Sequence, residues 1–358
     1  MYVYMFLCFF ALAIDNTIAS CSFNLDSNLD GKSPLVIKNN DVLLPDNELG
    51  DVELSNYDQV QLLCSGSKNN LIQYHGYLVT ATCRNGKFTL PNGNSYNFKV
   101  LKCQNTPMPH AQEIGRCNAG AKLISLGFTL GETNFLEKIT LCFDAQRLTT
   151  YWSRNKLRPS SYSCQIHDRG SFKIDFFNAI HSTINPDEVY LHSTFDRGHL
   201  TPRCDFFTGP EKRMTFYYIN VSPQNRKLNQ GNWKTLEGVI RTASKGAKRT
   251  LVIYTGTTDT RKYLKKQIPI QRYFWKVVID ANSGEGIAFI GVNSVEDVPS
   301  PCLAVDCQQI MWLGSSRFRF SNISKGAIHC CAIDNLRNIP NIELPTLSEY
   351  RGGLLRNM

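Results

Sequence analysis

Thirteen cysteines in 358 residues constrain this chain more than any other feature. Cys8 sits in the opening segment MYVYMFLCFFALAIDNTIAS, whose residues 3–14 are almost wholly apolar and are followed by the small residues Ala19 and Ser20. That run is shorter than the roughly 20 apolar residues a membrane span requires. It reads as a signal peptide over 1–20, although no Lys or Arg precedes the apolar stretch. Setting Cys8 aside leaves an even number of cysteines, which in an oxidising compartment favours disulfides throughout. Zinc is the competing use. Neither the Cys302/Cys307 pair nor the run His329-Cys330-Cys331 shows the paired short spacings of a zinc site. Cys330 and Cys331 are adjacent, so each is expected to bond elsewhere, because a bridge between neighbours strains the geometry. The expectation is a secreted protein with no membrane attachment.

Composition agrees with a folded chain: 42% of residues are hydrophobic and 19% charged, with no repeat or low-complexity tract. Lys and Arg exceed Asp and Glu by 39 to 30, a net charge of +9. An excess of that sign suits an acidic polymer as partner, but solubility alone accounts for it equally well. No protein partner is evident.

Residues 21–115 form a cysteine-bearing, β-rich extension. Short alternating runs (DQVQLLC, YLVTATC, KFTL, YNFKVLKC) are separated by the turn formers Arg84-Asn85-Gly86 and Pro91-Asn92-Gly93. The proline-bearing stretch NTPMPHAQEIG reads as the linker to a larger domain over 116–358. There the elements lengthen: TFYYINVS (215–222), TLVIYTGT (250–257), YFWKVVID (273–280) and GIAFIGV (286–292) are β-branched and aromatic, as strands are. Between the first two, Leu228, Trp233, Leu236 and Ile240 recur at helical spacing and predict a helix over 227–244. The class is α+β, with a mostly antiparallel sheet and flanking helices.

The stretch FDRGHLTPRCDF places an acid, a cation and an imidazole around Gly198, a cluster that a core strand has no use for because buried charges are costly unless paired. On an ideal helix Asn229 and Glu237 lie about 80° apart, with Arg241 about 40° further round. One polar face would then carry an amide, a carboxylate and a guanidinium.

Asp196-Arg197-Gly198-His199 followed by INVSPQNRKLNQGNWKTLE (219–237) resembles the DNA/RNA non-specific endonuclease family of the ββα-metal class. The similarity covers roughly 120–345. With the leader and the cysteine-bearing extension, the chain is most similar to the secreted nucleases of arthropods, which include enzymes degrading double-stranded RNA. The resemblance implies a ββα-metal nuclease domain preceded by a small disulfide-stapled β-rich one. It implies His199 as general base and Asn229 as the one direct protein ligand to magnesium, with manganese as a substitute. Arg197, Glu237 and Arg241 match supporting residues, and Asn220 and Gln224 match polar residues lining the site. Asp196 stands one shell behind the metal ligand, and Arg158 is a candidate for a further arginine. Cleavage leaving 5′-phosphates is implied as well.

These residue types suit phosphodiester hydrolysis. A neutral histidine takes a proton from water near neutral pH. Magnesium is a hard ion that keeps most of its waters, so one amide oxygen can hold it. Glu237 would orient metal-bound water, and the arginine fork matches phosphate. Gly198 would let backbone or substrate approach closely. The expected substrates are DNA and RNA, single- or double-stranded, gripped by the phosphate backbone. A nucleic-acid-binding protein with little turnover is the alternative, but a pure binder needs no base. A structural cysteine-rich protein leaves the charged helix face unexplained. His75, His110, His167, His181 and His192 have no partner pattern, DRGSF (168–172) reads as a turn, and KGAKR (245–249) and RKYLKKQ (261–267) are basic clusters that can add phosphate contacts. Asn220 and Asn322 both satisfy a glycosylation sequon. Asn322 is the expected carrier, because a sugar on Asn220 would block the site.

Overall fold

The computed structural model describes residues 20–25, 31–160, 162, 164, 172, 184–294, 296 and 298–358. The expected leader (all but Ser20), His167, His181 and most of DRGSF lie outside the described residues. Among the described residues no helix is long and apolar enough to cross a membrane.

A nine-stranded sheet organises the larger part of the chain. From one edge it runs Ala304–Val305, Ile328–Cys331, Gly286–Val292, Ile268–Asp280, Leu251–Leu264, Thr149–Leu157, Asn134–Asp144, Lys122–Leu130 and His110–Arg116. Every neighbouring pair is antiparallel. Side chains alternate across the pleat. On one face of Ile268–Asp280, Phe274 and Val278 pack under Trp233, Leu236 and Ile240 of the helix that crosses the sheet. On the other, Trp275, Val277 and Ile279 pack with Ile290, Ile333, Leu336 and Ile339. The sheet is thus covered on both sides, and its central strands read as continuous apolar runs for that reason. This is the α+β, mostly antiparallel architecture the sequence predicts.

Three segments differ from expectation. The run TFYYINVS is not a strand over its length: Tyr218–Asn220 is a 3-10 turn and the strand begins at Val221. Tyr217, Tyr218 and Ile219 are buried in a side-chain cluster, and Asn220 bonds to backbone outside any ladder. Burial, not strand pairing, explains their apolar character. YNFKVLKC likewise bends into a 3-10 turn at Phe98–Val100, where Phe98 stacks on Phe23 at 4.0 Å. The expected linker is partly structured, because His110–Arg116 pairs with Lys122–Leu130 as an edge strand of the large sheet.

The N-terminal extension contributes a six-stranded sheet and a two-stranded one. Its Leu35, Ile37, Val42 and Leu63 pack with Phe128, Leu130 and Leu136 of the large sheet. Beside that seam Asp41 meets Lys138 at 2.6 Å and Arg158 at 3.1 Å, and Lys138 meets the buried Glu211 at 3.2 Å. Arg158, a candidate for a site arginine, belongs to this junction: its Nη1 also donates to the Val42 carbonyl at 2.7 Å.

The twelve cysteines other than Cys8 are all paired, as Cys21–Cys83, Cys64–Cys103, Cys117–Cys142, Cys164–Cys204, Cys302–Cys331 and Cys307–Cys330. The adjacent Cys330 and Cys331 bond to different partners, and no thiol among the described residues is left for zinc. Peptide mapping without reductant is expected to return these pairs and no alkylated thiol at the twelve positions. A Cys330–Cys331 bridge, or extensive labelling, would contradict the pairing.

Candidate active site

The tetrad occupies the strand Phe195–His199, which pairs antiparallel with Val221–Asn225 so that Asp196 faces Gln224 and Gly198 faces Ser222. A Cβ on Gly198 would lie 2.4 Å from the Gln224 Oε1 and 2.5 Å from its Cβ. Gly198 therefore makes room for a neighbouring side chain rather than for substrate. Gln224 is fully buried, and among the described residues neither its Oε1 nor its Nε2 has a hydrogen-bond partner. It lies under the hairpin instead of lining an open surface.

The hairpin runs directly into the helix. Arg226–Leu228 is α-helical, Asn229–Trp233 is a π turn, and Lys234–Ala247 continues as α-helix. A π turn inserts a residue into the ordinary spacing and commonly marks a functional position. It also changes the angular relation between Asn229 and Glu237, so the ideal-helix figure does not hold across it. Gly231 is needed inside the turn, since a Cβ there would sit 2.4 Å from the Lys325 carbonyl.

Asp196 ties strand to helix. Its Oδ2 accepts from Asn229 Nδ2 at 2.8 Å and from Gln230 Nε2 at 3.1 Å, and its Oδ1 accepts from Arg226 Nε at 3.0 Å. Burial alone would raise the Asp196 carboxyl, but those three donors outweigh it and hold the group below its ordinary value. A carboxylate only accepts, so the Asn229 amide must turn its NH₂ toward Asp196 and its oxygen away. A single fixed hard oxygen is donor chemistry that magnesium takes, since the ion keeps most of its waters. Among the described residues no three His, Cys, Asp or Glu converge as an alternative metal cluster.

His199 is half-buried, with Phe172 and Phe216 at 5.5 and 5.2 Å from its ring. Its Nε2 is fully covered and has no partner among the described residues. Burial, helped by the charge of Arg203, lowers the imidazole to about 4 against a hydrogen bond to the Arg197 backbone that works the other way. The ring is thus neutral at physiological pH with a nitrogen lone pair uncommitted, the state a general base requires.

Beneath the helix lies a charged layer. Glu237 is pushed up to about 7 by burial and by Asp205, against the opposing pull of Lys276 and Arg241. Arg241 Nη1 donates to the buried Asp205 at 3.2 Å, and Asn155 Nδ2 reaches the other Asp205 oxygen at 3.1 Å. Lys276 is buried under the Trp233 ring at 5.3 Å and donates to the Thr255 hydroxyl. Local sequence pattern misses Asp205, Lys276 and Arg203. Of the three, Lys276 does carry a signal, because one lysine interrupts the apolar run YFWKVVID and a buried cation demands partners.

Two expected residues play different parts. Arg197 donates to Tyr218 Oη at 2.9 Å and Asp187 Oδ1 at 2.8 Å, with the rings of Phe172 and Tyr190 at 5.1 and 5.2 Å. Its Nε and Nη2 are thus engaged beside an aromatic cage, with the side chain partly exposed. Asn220 does not line the site: it is fully buried, accepts from the Thr201 N–H at 3.0 Å, and donates to the Thr201 and Thr215 carbonyls at 2.9 Å each. It fixes the loop that follows His199, and so buried an amide is closed to glycan, whereas Asn322 is exposed.

The DNA/RNA non-specific endonuclease family model matches residues 119–313. A salivary endonuclease of Lutzomyia longipalpis is 28% identical over 91% of this chain and 85% of its own length. A salivary endonuclease of Culex quinquefasciatus is 25% identical over 71% and 73%. Bovine mitochondrial endonuclease G is 30% identical over 39% of this chain and 51% of its own. A nine-stranded antiparallel sheet crossed by a helix, with a histidine-bearing hairpin feeding that helix, is the ββα-metal arrangement. The chain belongs to the DNA/RNA non-specific endonuclease family and is a metal-dependent nuclease.

In metal-free protein, an NMR titration of the His199 ring is expected to give a midpoint near 4, against about 6.5 for a free histidine. Because the folded value is depressed, the unfolded chain takes up the proton first, and this group's stabilisation is lost as pH falls from about 6.5 toward 4. A midpoint at the ordinary value would contradict the burial of the ring.

Proposed function

We propose that this protein is a secreted, magnesium-dependent endonuclease that hydrolyses DNA and RNA, double-stranded RNA included, without regard to base sequence. The carrying observation is that one strand, Phe195–His199, holds both a histidine with an uncommitted Nε2 and the Asp196 that fixes the NH₂ of Asn229. Six disulfides support an oxidising destination. The N-terminal extension, 21–115, is read as a scaffold docked on the nuclease sheet.

Asn229 Oδ1 would hold the ion, and Glu237 would orient water bound to it. When bound, the ion would supply Lewis-acid stabilisation of the charge that develops on the phosphate and on the departing oxygen. His199 Nε2 takes the proton of the attacking water. A phosphate brought against the ring favours the imidazolium, so substrate itself strengthens the base. Arg203 lies close enough to His199 for its charge to bear on the ring, and it supplies a cation beside the reacting phosphate. The 3′ oxygen leaves and the 5′ side keeps the phosphate.

Incubating purified protein with plasmid, double-stranded RNA and single-stranded RNA tests this reading. All three are expected to be cut with magnesium and left intact with chelator. His199→Ala is expected to lose about 10²–10⁴ in rate while retaining binding. Asn229→Ala should be partly rescued by high magnesium, since it loses an ion ligand and not the base. Full activity of the histidine variant, or activity in chelator, would overturn the assignment.

A further inference from the structure

Several cations of the basic runs that stand out in the sequence are neutralised in the fold. Lys245 pairs with Glu48, Arg249 with the buried Asp280, and Arg261 with Glu296. A different set of cations comes together from two distant segments. Arg226 and Lys227 at the start of the catalytic helix face Arg319 and Lys325 across a groove of about 380 Å³. Gln230 and Ser324 complete its walls, no acidic side chain lines it, and all four cations are exposed. Of the four, only Arg226 has an acidic partner among the described residues, and that partner is Asp196 of the tetrad.

The two walls are locked together. The buried Asn232 donates to the carbonyls of Arg319 at 2.9 Å and Gly326 at 2.8 Å. Gly231 admits the Lys325 carbonyl, and Gly326, at φ +79°, admits Leu228. The disulfides Cys302–Cys331 and Cys307–Cys330 staple the second wall's segment to its neighbouring chain. Lys227, Arg319 and Lys325 have no acidic partner among the described residues, so their field favours a bound polyanion in the groove between them. Gln230 lines the groove and shares the Asp196 Oδ2 acceptor with Asn229, which links an anion held there to the proposed ion site.

We infer that this groove is a second phosphate-binding subsite, which grips the sugar–phosphate backbone of the same nucleic-acid strand beside the scissile phosphate. The inference rests on the endonuclease reading above and adds where the polymer lies. Contacts to phosphate carry no base information, so a track of this kind gives affinity for long polymers without sequence preference.

The test compares the wild type with Lys227→Ala/Arg319→Ala/Lys325→Ala, expressed in the same host so that any sugar at Asn322 is common to both. Removing one cation that touches phosphate should lower the slope of log affinity against log salt by about 0.9 for duplex DNA. The triple variant is expected to lose roughly two to three from that slope and to raise KM for duplex by about tenfold or more, with kcat changed far less. A control, Lys99→Ala at an exposed position of the 3-10 turn Phe98–Val100 in the N-terminal extension, removes a charge far from the basic runs and should leave the slope as it is. An unchanged salt slope and KM in a variant with wild-type melting temperature would overturn the subsite. A loss of slope per charge as large with Lys99→Ala would also overturn it, since net charge alone would then explain the effect. Failure of the endonuclease reading shows separately, as a wild type that cuts no nucleic acid.

Discussion

The Asp196 carboxylate is the point on which the site depends. Three donors from the start of the helix, Arg226, Asn229 and Gln230, converge on its two oxygens. An isolated exposed ion pair contributes about 0–1 kcal/mol, so the Arg226 contact by itself would count for little. The bonds from the amides are different in kind. They fix which end of Asn229 faces inward, in a π turn whose own backbone geometry departs from the regular helix at Gly231. Without that acceptor the amide has no reason to present oxygen rather than nitrogen to a cation, and the tetrad strand loses its tie to the helix.

Packing beneath the hairpin serves the same end. Gly198 lets the buried Gln224 close against the strand, while Asn220 anchors the Thr201 and Thr215 backbones on either side of the loop that leaves His199. The histidine is thereby set between Phe172 and Phe216 in surroundings that disfavour its charge. One layer down, Lys276 is a buried cation whose removal from water costs several kcal/mol unless partners compensate. Glu237, Asp205 and the Thr255 hydroxyl provide them. Lys276 in turn pulls the Glu237 carboxyl down against the burial that pushes it up.

Much of this is legible in the residues. The strand GIAFIGV and the helix over the sheet follow from β-branched runs and from Leu228, Trp233, Leu236 and Ile240 at helical spacing. The separate bonding of Cys330 and Cys331 follows from elementary disulfide geometry. What is not legible shares a cause: local pattern does not reveal which tertiary partner claims a side chain. Arg197 reads as a phosphate ligand until Asp187 and three aromatic rings surround it. Asn220 reads as site-lining until Thr201 and Thr215 use its amide fully. The aromatic run before Asn220 reads as a strand because buried turns and strands select the same side chains.

The central claim is that Asn229 offers its amide oxygen, oriented by Asp196, as the protein's ligand to a divalent ion. Anomalous diffraction from a crystal soaked in manganese tests it most directly. The account predicts one strong peak about 2.1 Å from Asn229 Oδ1, the distance expected for an octahedral ion of magnesium's size, with Asp196 outside the coordination shell. A peak bound to the Asp196 carboxylate, or one that leaves Asn229 untouched, would contradict it.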